Sequence, residues 1–542
     1  MAKDPAVNVK VPKRSGFNKS HHNVLTHNVG TLVPLMCDEV IPNTKVNLRI
    51  ALAAALPPLA SDAYLKCSYK VEAFFVPMRL LCGSFESFFT NTTERFLGSS
   101  IIYNRQGVIP TISITANTIS LLNGFLKPGS LGDYLGFRLA SDEGSIARGI
   151  NFTPLPFLAY HMIWDNFYRS PMVTQSCFCR PSVGSSPGSN YFFATLPYRF
   201  VVAEQTSSAV IAFTDEDGYS LADGKSIFDL RQRCFGFDYF TNAQPNAQSG
   251  TAQSVTTADN SFTIGALRAA NSIQQWEELN SLAGTRFVDH LRARFGAKLS
   301  DGVAQRPIFL GSASYEVYNR GVQVNATNFE GATLPSYNPF AKSAGAKVGS
   351  AFASGSDFLI DGFTANEPGY IMVLGSLVPR ATYALGIRRY LLHYNTGTPG
   401  SIADMANHML QNTGNQPILS IEVGASNVPG TIFGYSDRYC EFMNMEDECH
   451  GNFRSGKSLS SFVSQRALLD ATLSTSFLEI PTSYLNNVTV TSNAVSTYGC
   501  MVDVDFDYKV AMPLYPYSLP SLQNPAFEHG KDVTIHRGGF RF

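Results

Sequence analysis

Strict alternation of apolar and polar positions is strongest between Tyr69 and Val76. Tyr69, Val71, Ala73 and Phe75 fall on one side and Lys70 and Glu72 on the other, the period of a strand with one buried face. Phe74 and Val76 make the far end apolar on both faces, so that end should be covered twice. Pro77 cannot donate to a sheet ladder and should stop the strand. The same reading predicts strands over Thr31 to Met36, Val46 to Ile50, Gly369 to Val378, Thr382 to Arg388 and Gly499 to Val510. A turn is expected at Ile41-Pro42-Asn43-Thr44.

Helical spacing is rarer. Phe157, Tyr160, Trp164, Phe167 and Tyr168 recur at 3.6-residue intervals after Pro154-Leu155-Pro156 and predict a helix over Phe157 to Tyr168, with Pro171 ending it. Shorter helical patterns cover Phe85 to Phe96, Thr263 to Leu282 and Arg286 to Phe295, with Gly284 and Gly296 as C-terminal caps of the last two. Residues 173 to 230 read as a β-rich excursion containing the hairpin signal Asp217-Gly218. Residues 242 to 260 and 325 to 356 read as loops, and the chain beyond Pro513 looks extended and unable to form its own core.

Composition changes this picture in one respect. Charged residues are 15% of the chain, below the roughly 25% usual for soluble domains, while aromatics reach 12%. A surface so poor in charge points to extensive contact with other protein. The formal net charge of −1 makes no case for nucleic acid from the whole molecule, so only local patches could serve. No run approaches the roughly 18 apolar residues of a membrane helix; Ile50 to Leu59 is short and contains Pro57 and Pro58. No membrane insertion and no signal peptide are expected, which places synthesis and folding in a cytoplasm. Nine scattered cysteines, an odd number, fit reduced thiols rather than a disulfide framework.

Residues 1 to 28 read as a flexible basic arm, carrying Lys3, Lys10, Lys13, Arg14 and Lys19 against the single acid Asp4. The tail from Glu528 to Phe542 interleaves His529, Lys531, His536, Arg537 and Arg541 with Phe540 and Phe542, a pattern that can neutralise phosphates and stack on bases, or pack on a neighbouring subunit. Lys3, Lys10, Lys13, Arg14, Lys19, Arg537 and Arg541 are therefore the candidate nucleic-acid contacts. Asp503, Asp505 and Asp507 share one strand face, where three like charges repel; they call for a hard cation, basic partners or open water. Cys177 and Cys179 lack a companion pair, and Cys440, Cys449 and His450 sit in strand and loop surroundings, so no metal site and no cofactor are expected. Gly-rich phosphate loops, His-Glu-x-x-His and Gly-x-Ser-x-Gly are absent, and no catalytic residues are assigned.

Taken in order, these segments resemble the major capsid protein of the microviruses, small icosahedral single-stranded DNA bacteriophages, and the gokushovirus group in particular. The resemblance runs through Gly30-Thr31-Leu32-Val33-Pro34, Glu39-Val40-Ile41-Pro42, Phe74-Phe75-Val76-Pro77-Met78-Arg79-Leu80, Ile163-Trp164-Asp165-Asn166-Phe167-Tyr168-Arg169 and Asp238-Tyr239-Phe240-Thr241. It continues through Phe262-Thr263-Ile264, Gly284-Thr285-Arg286-Phe287, Arg306-Pro307-Ile308-Phe309-Leu310-Gly311, Phe433 to Phe442 and Gly451-Asn452-Phe453-Arg454. The chain departs from it in a short segment from Ser249 to Ser261, with extra length at 173 to 230, and in Lys509-Val510-Ala511-Met512-Pro513, which lacks the family's arginine.

The resemblance implies a mainly β fold: an eight-stranded antiparallel viral jelly roll with long insertions containing short helices and extra strands. On that basis residues 1–28 form the arm, 29–515 the body, with a variable surface insertion at 173–230 and a helical and loop insertion at 231–356, and 516–542 an extended C-terminal arm. The implied function is structural and not enzymatic: a T=1 icosahedral shell of about 60 copies of the chain in the virion, enclosing a circular single-stranded DNA genome. The implied partners are that genome, a DNA pilot protein, a small basic packaging protein and a bacterial surface receptor met by surface insertions. The competing reading is a β-sandwich that binds glycans or a receptor through residues 173–230.

Overall fold

A computed structural model gives the fold over residues 6–11, 14–57, 59, 63–82, 85–90, 93–97, 102–106, 109, 112–113, 128–137, 151–177, 225–246, 265, 268–273, 275, 300–324, 347–392, 415–426, 430–469, 471–489, 499–514 and 531–536. The principal strands are β1 (Ala6–Val11), β2 (Ser15–Asn18), β3 (His21–His27), β4 (Thr31–Val40), β5 (Thr44–Ala55), β6 (Cys67–Pro77), β7 (Ile308–Val324), β8 (Lys347–Ala365), β9 (Gly369–Pro379), β10 (Cys500–Met512) and β11 (Lys531–His536). The protein is mainly β, with short helices between the strands.

One antiparallel ten-stranded sheet runs in the order Arg231–Gln232, β4, β9, β6, β7, β8, β5, β10, β2, with β3 also paired to β10. The long strand β7 changes partner part-way: Ile308 to Val317 pair with β6, and Tyr318 to Val324 pair with β8. The path therefore divides into two quartets, β4-β9-β6-β7 and β8-β5-β10-β3. Numbering β3 to β10 from one to eight, the quartets read 2-7-4-5 and 6-3-8-1. Their inward side chains meet in one core. Val46, Leu48 and Ile50 of β5 and Val504, Phe506 and Tyr508 of β10 share it with Tyr69, Val71 and Phe75 of β6. The sequence periodicity explains the strands directly, since β5 and β10 bury every second residue along most of their lengths.

The far end of β6 is covered on both faces, as its composition requires. Phe75 packs inward against Phe363, with ring centroids 5.2 Å apart, while Phe74 points outward against Phe167 at 4.9 Å. Phe74, Val76, Met372 and Leu374 belong to a second core closed by the helix Leu155–Ile163 and the π-helical turn Trp164–Tyr168 that continues it. Tyr160 of that helix donates to the Leu32 carbonyl at 2.7 Å and accepts from the Arg231 amide at 2.8 Å, tying the cover to the sheet edge. On the same outer face Arg233 holds Glu72 with both terminal nitrogens, at 2.7 and 3.1 Å.

Several expectations change. Residues 15–27 are not part of a flexible arm: β2 and β3 hydrogen-bond to opposite ends of β10, whose otherwise open edge they complete. The Phe85 to Phe96 pattern is helical only over Phe85–Thr90, and Thr93–Leu97 is a strand paired with Ile102–Gln106; Asn91, Thr92 and Thr93 are poor helix formers. The strand expected over Thr382 to Arg388 covers only Thr382–Tyr383, and at Gly386, with φ +125°, the backbone is outside the strand region. The helix expected over Thr263 to Leu282 is helical at residues 265, 268–273 and 275. The expected helix Arg286 to Phe295, residues 178–224 of the β-rich excursion, with its Asp217-Gly218 turn, and residues 325–346 of the loop lie outside the described residues. Residues 347–356 of that loop are instead strand, the first half of β8, and with β7 they place main-sheet strands inside the stretch 231–356 expected as a helical and loop insertion.

Candidate interaction surfaces

The two chain ends pair with each other. β1 and β11 form an antiparallel ribbon in which Ala6 faces His536, Lys10 faces Asp532 and Val11 faces Lys531. Two basic segments more than 500 residues apart in sequence are thereby joined in one element. Lys3, Lys13, Arg537 and Arg541 lie outside the described residues; Arg537 directly follows the ribbon in sequence.

Arg14 and Lys19 already have partners within the fold. Arg14 donates from Nη2 to the Asn43 side-chain oxygen, at a turn where Asn43 takes φ +65°. Lys19 Nζ lies 2.5 Å from both oxygens of Asp38 and 5.5 Å from the centroid of the Tyr508 ring. Tyr508 donates to the same carboxylate at 2.8 Å. Burial and the neighbouring Asp38 push the Tyr508 phenol far above its ordinary range, so it remains a donor. The ammonium of Lys19 is matched by Asp38, and its side chain is about one-third exposed.

Asp503, Asp505 and Asp507 line the outer face of β10, alternating with buried Val504, Phe506 and Tyr508. Basic groups meet this face from β3 and β5 and from β10 itself. His22 of β3 lies 2.5 Å from Asp503, and Lys509 lies 3.0 Å from Asp507. The Lys509 contact, with help from the Ser20 hydroxyl and the Arg49 charge, holds the Asp507 carboxyl below the usual carboxylate range. Arg49 bonds Ser356 at 3.1 Å and stacks over Phe358, with 5.3 Å to the ring centroid. Asp505 lies in an open depression with His21, Arg49 and Ser356. Among the described residues, no group of three or more His, Cys, Asp or Glu side chains converges as metal ligands. Cys440 takes a hydrogen bond from Asn444 at 2.9 Å, whereas His450 pairs with Glu448 at 3.1 Å, so the Cys440, Cys449 and His450 set is divided among other partners. Cys177 is a buried thiol whose Sγ lies 3.7 Å from both the His161 carbonyl and Asp165; Cys179 lies outside the described residues.

A buried ionic network that sequence reading missed lies beyond the sandwich. Arg389 Nη1 donates to Glu422 at 2.8 Å and to the Pro417 carbonyl at 2.7 Å, and its Nε lies 3.4 Å from Glu441. Glu422 also accepts from the Leu419 amide at 2.8 Å and the Tyr239 hydroxyl at 3.1 Å. Burial pushes its carboxyl up, and Arg389, the Leu419 amide and Tyr239 oppose that shift. The network ties Tyr239 of the Asp-Tyr-Phe-Thr segment to the Arg389–Leu392 turn and to the loop after Tyr439. Its carboxylates are engaged with a guanidinium, an amide and a hydroxyl, an arrangement that fixes segments together.

Comparison with known proteins places these features in a family. Residues 6–522 match the family model described as capsid protein (F protein). The chain is 25% identical to capsid protein VP1 of Chlamydia phage 1 over 94% of this chain and 96% of that protein. It is 25% identical to capsid protein VP1 of Bdellovibrio phage phiMH2K, covering 94% and 95%, and 22% identical to capsid protein VP1 of Spiroplasma virus 4, again covering 94% and 95%.

Proposed function

The chain belongs to the capsid protein (F protein) family, and we propose that copies of it close an icosahedral shell around a circular single-stranded DNA genome, each copy an eight-stranded jelly roll with long insertions. As a capsid component of the virion it is a structural protein and not an enzyme. The observation that carries the shell reading is the family match across nearly the whole chain. The jelly-roll reading is supported by the quartets 2-7-4-5 and 6-3-8-1, in which each added strand lies beside an early one, as in a folded-over antiparallel ribbon.

Genome contact is assigned to the joined termini: Lys3, Lys10, Lys13 and Arg14 at one end, Arg537 and Arg541 at the other, with Lys19 at their base. The pairing of β1 with β11 supports this reading, since one ribbon carries both basic ends. With a net charge of −1, a shell of such subunits neutralises only part of an encapsidated genome, so a small basic packaging protein or counterions supply the rest. A DNA pilot protein and a bacterial surface receptor complete the partners, with host contact assigned to the insertion at 173–230. Electron microscopy of the purified protein tests the reading: closed uniform shells are expected, and only monomers or trimers would refute it.

A further inference from the structure

Large apolar side chains are displayed beside the buried network instead of being folded into it. Phe442, Met443 and Met445 in the loop after Tyr439, Phe237 before the Asp-Tyr-Phe-Thr segment, and Tyr390 and Leu391 of the Arg389–Leu392 turn are each between 53% and 90% exposed. They lie on connected pieces of structure. The Arg389 to Glu441 contact joins the turn to the loop, and Phe237 lines the same cavity as Cys440 and Asn444.

The loop is held in this outward form. The Phe442 amide donates to the Tyr439 carbonyl at 3.1 Å, and the Met443 and Asn444 amides donate to Cys440 at 3.0 and 3.1 Å. The Asn444 side chain donates to the same carbonyl at 3.2 Å. Tyr439 starts the turn with φ +65°, a conformation unfavourable for a non-glycine residue. A tight hydrogen-bonded turn that points its phenylalanine and methionines into solvent is ordered for something to cover them.

Area indicates what covers them. At about 200 Å² for a fully exposed side chain of this size, the six residues present roughly 800 Å². As a sum over six side chains it is of the order of the ~800 Å² each partner contributes to a stable protein interface.

We propose that this surface, centred on Phe442, Met443 and Met445, is a contact between copies of this chain in the shell. The proposal rests on the capsid reading and deepens it by assigning one of the contacts that close the shell. Flexible Met side chains beside a rigid aromatic suit a contact that must adapt to symmetry-related neighbours.

The test combines a variant with a measurement on the native chain. Subunits carrying M443D and M445D should melt like wild type, yet give shells at a yield lower by about tenfold or more on sucrose gradients, the scale of loss when a central apolar anchor becomes charged. Shells at wild-type yield would overturn the contact. In wild-type particles, Met443 and Met445 should be protected from peroxide oxidation in intact shells and oxidised after dissociation; equal oxidation in both states overturns the contact even if the variant misfolds. Variant particles that assemble normally and fail to adsorb to host cells also overturn it, since the surface then faces the host. Wild-type protein that never forms shells would defeat the capsid reading itself, a result distinct from shells with unprotected methionines.

Discussion

Acid should weaken the subunit through one buried imidazole. His27 ends β3, is 4% exposed and faces the sandwich core. Its Nδ1 lies 2.9 Å from the Asn28 carbonyl and its Nε2 lies 2.9 Å from the Tyr69 hydroxyl. A carbonyl can only accept, so Nδ1 carries the proton and Nε2 accepts from Tyr69. The neutral ring satisfies both contacts without placing a charge in the core. Burial lowers the pKa from 6.5 to about 4, against a smaller opposing effect of the Asn28 carbonyl. Tyr69, held well above its ordinary range mainly by burial, stays protonated throughout this window. Above pH 6.5 the histidine is neutral in both states and contributes no pH dependence. As pH falls, the unfolded chain takes up a proton that the folded chain refuses, so stability drops by about 1.4 kcal/mol per pH unit. The loss amounts to about 2 kcal/mol at pH 5 and levels off near 3 kcal/mol once pH falls below about 4. Urea unfolding of wild type and His27→Gln at pH 7.5 and pH 5 isolates the effect, since other acid-sensitive groups contribute equally to both proteins. Wild type should be the more stable at pH 7.5, and its advantage should shrink by about 2 kcal/mol at pH 5. An advantage of the same size at both pH values would refute the assignment.

Three further outcomes follow from particular contacts. Glu422→Gln leaves Arg389 buried without its nearest carboxylate and should cost roughly 3 kcal/mol, read from urea melts of dissociated subunits. Gly311→Ala places a methyl 2.1 Å from the Leu359 carbonyl oxygen at the β7 bulge and should destabilise by about 1–3 kcal/mol, while Gly16→Ala, which meets nothing within 4 Å, should change the melt little. Deleting residues 2–13 should lower the DNA content of particles, measured as the ratio of absorbance at 260 and 280 nm, more than it lowers shell yield; deletion of residues 2–19 also removes β2 and the Lys19 to Asp38 pair and should reduce shell yield as well.

How much of this could be read from sequence depends on where each signal is written. β5, β6 and β10 each bury one face, so burial leaves a period of two in the chain, and the doubly covered end of β6 is legible in Phe74-Phe75-Val76. β3 leaves almost no such trace. In His21 to His27 only Leu25 and His27 are buried, and the segment is a strand because β10, more than 470 residues later, offers it a partner edge. Propensity is weak where pairing partners decide the outcome. The Phe442 to Met445 run fails for the opposite reason: an apolar residue in sequence does not distinguish the inside of a subunit from the inside of an interface.

The same long-range pairing refines where genome contact begins. A run of five basic residues from Lys3 to Lys19 looks uniform in sequence, and charge alone would give each the same role. β2 and β3 separate them, because a segment hydrogen-bonded to β10 cannot also trail freely along a phosphate backbone. Lys19 has Asp38, and Arg14 has Asn43 at the entry to β2. β1, which carries Lys10, lies in a ribbon separate from the main sheet and pairs with β11 near the basic C-terminal end. If phosphate contacts set the salt dependence of genome retention, Lys3, Lys10 and Lys13 should carry more of it than Lys19. Replacing those three by Gln should flatten the salt dependence of DNA release, whereas Lys19→Gln should act chiefly on shell stability.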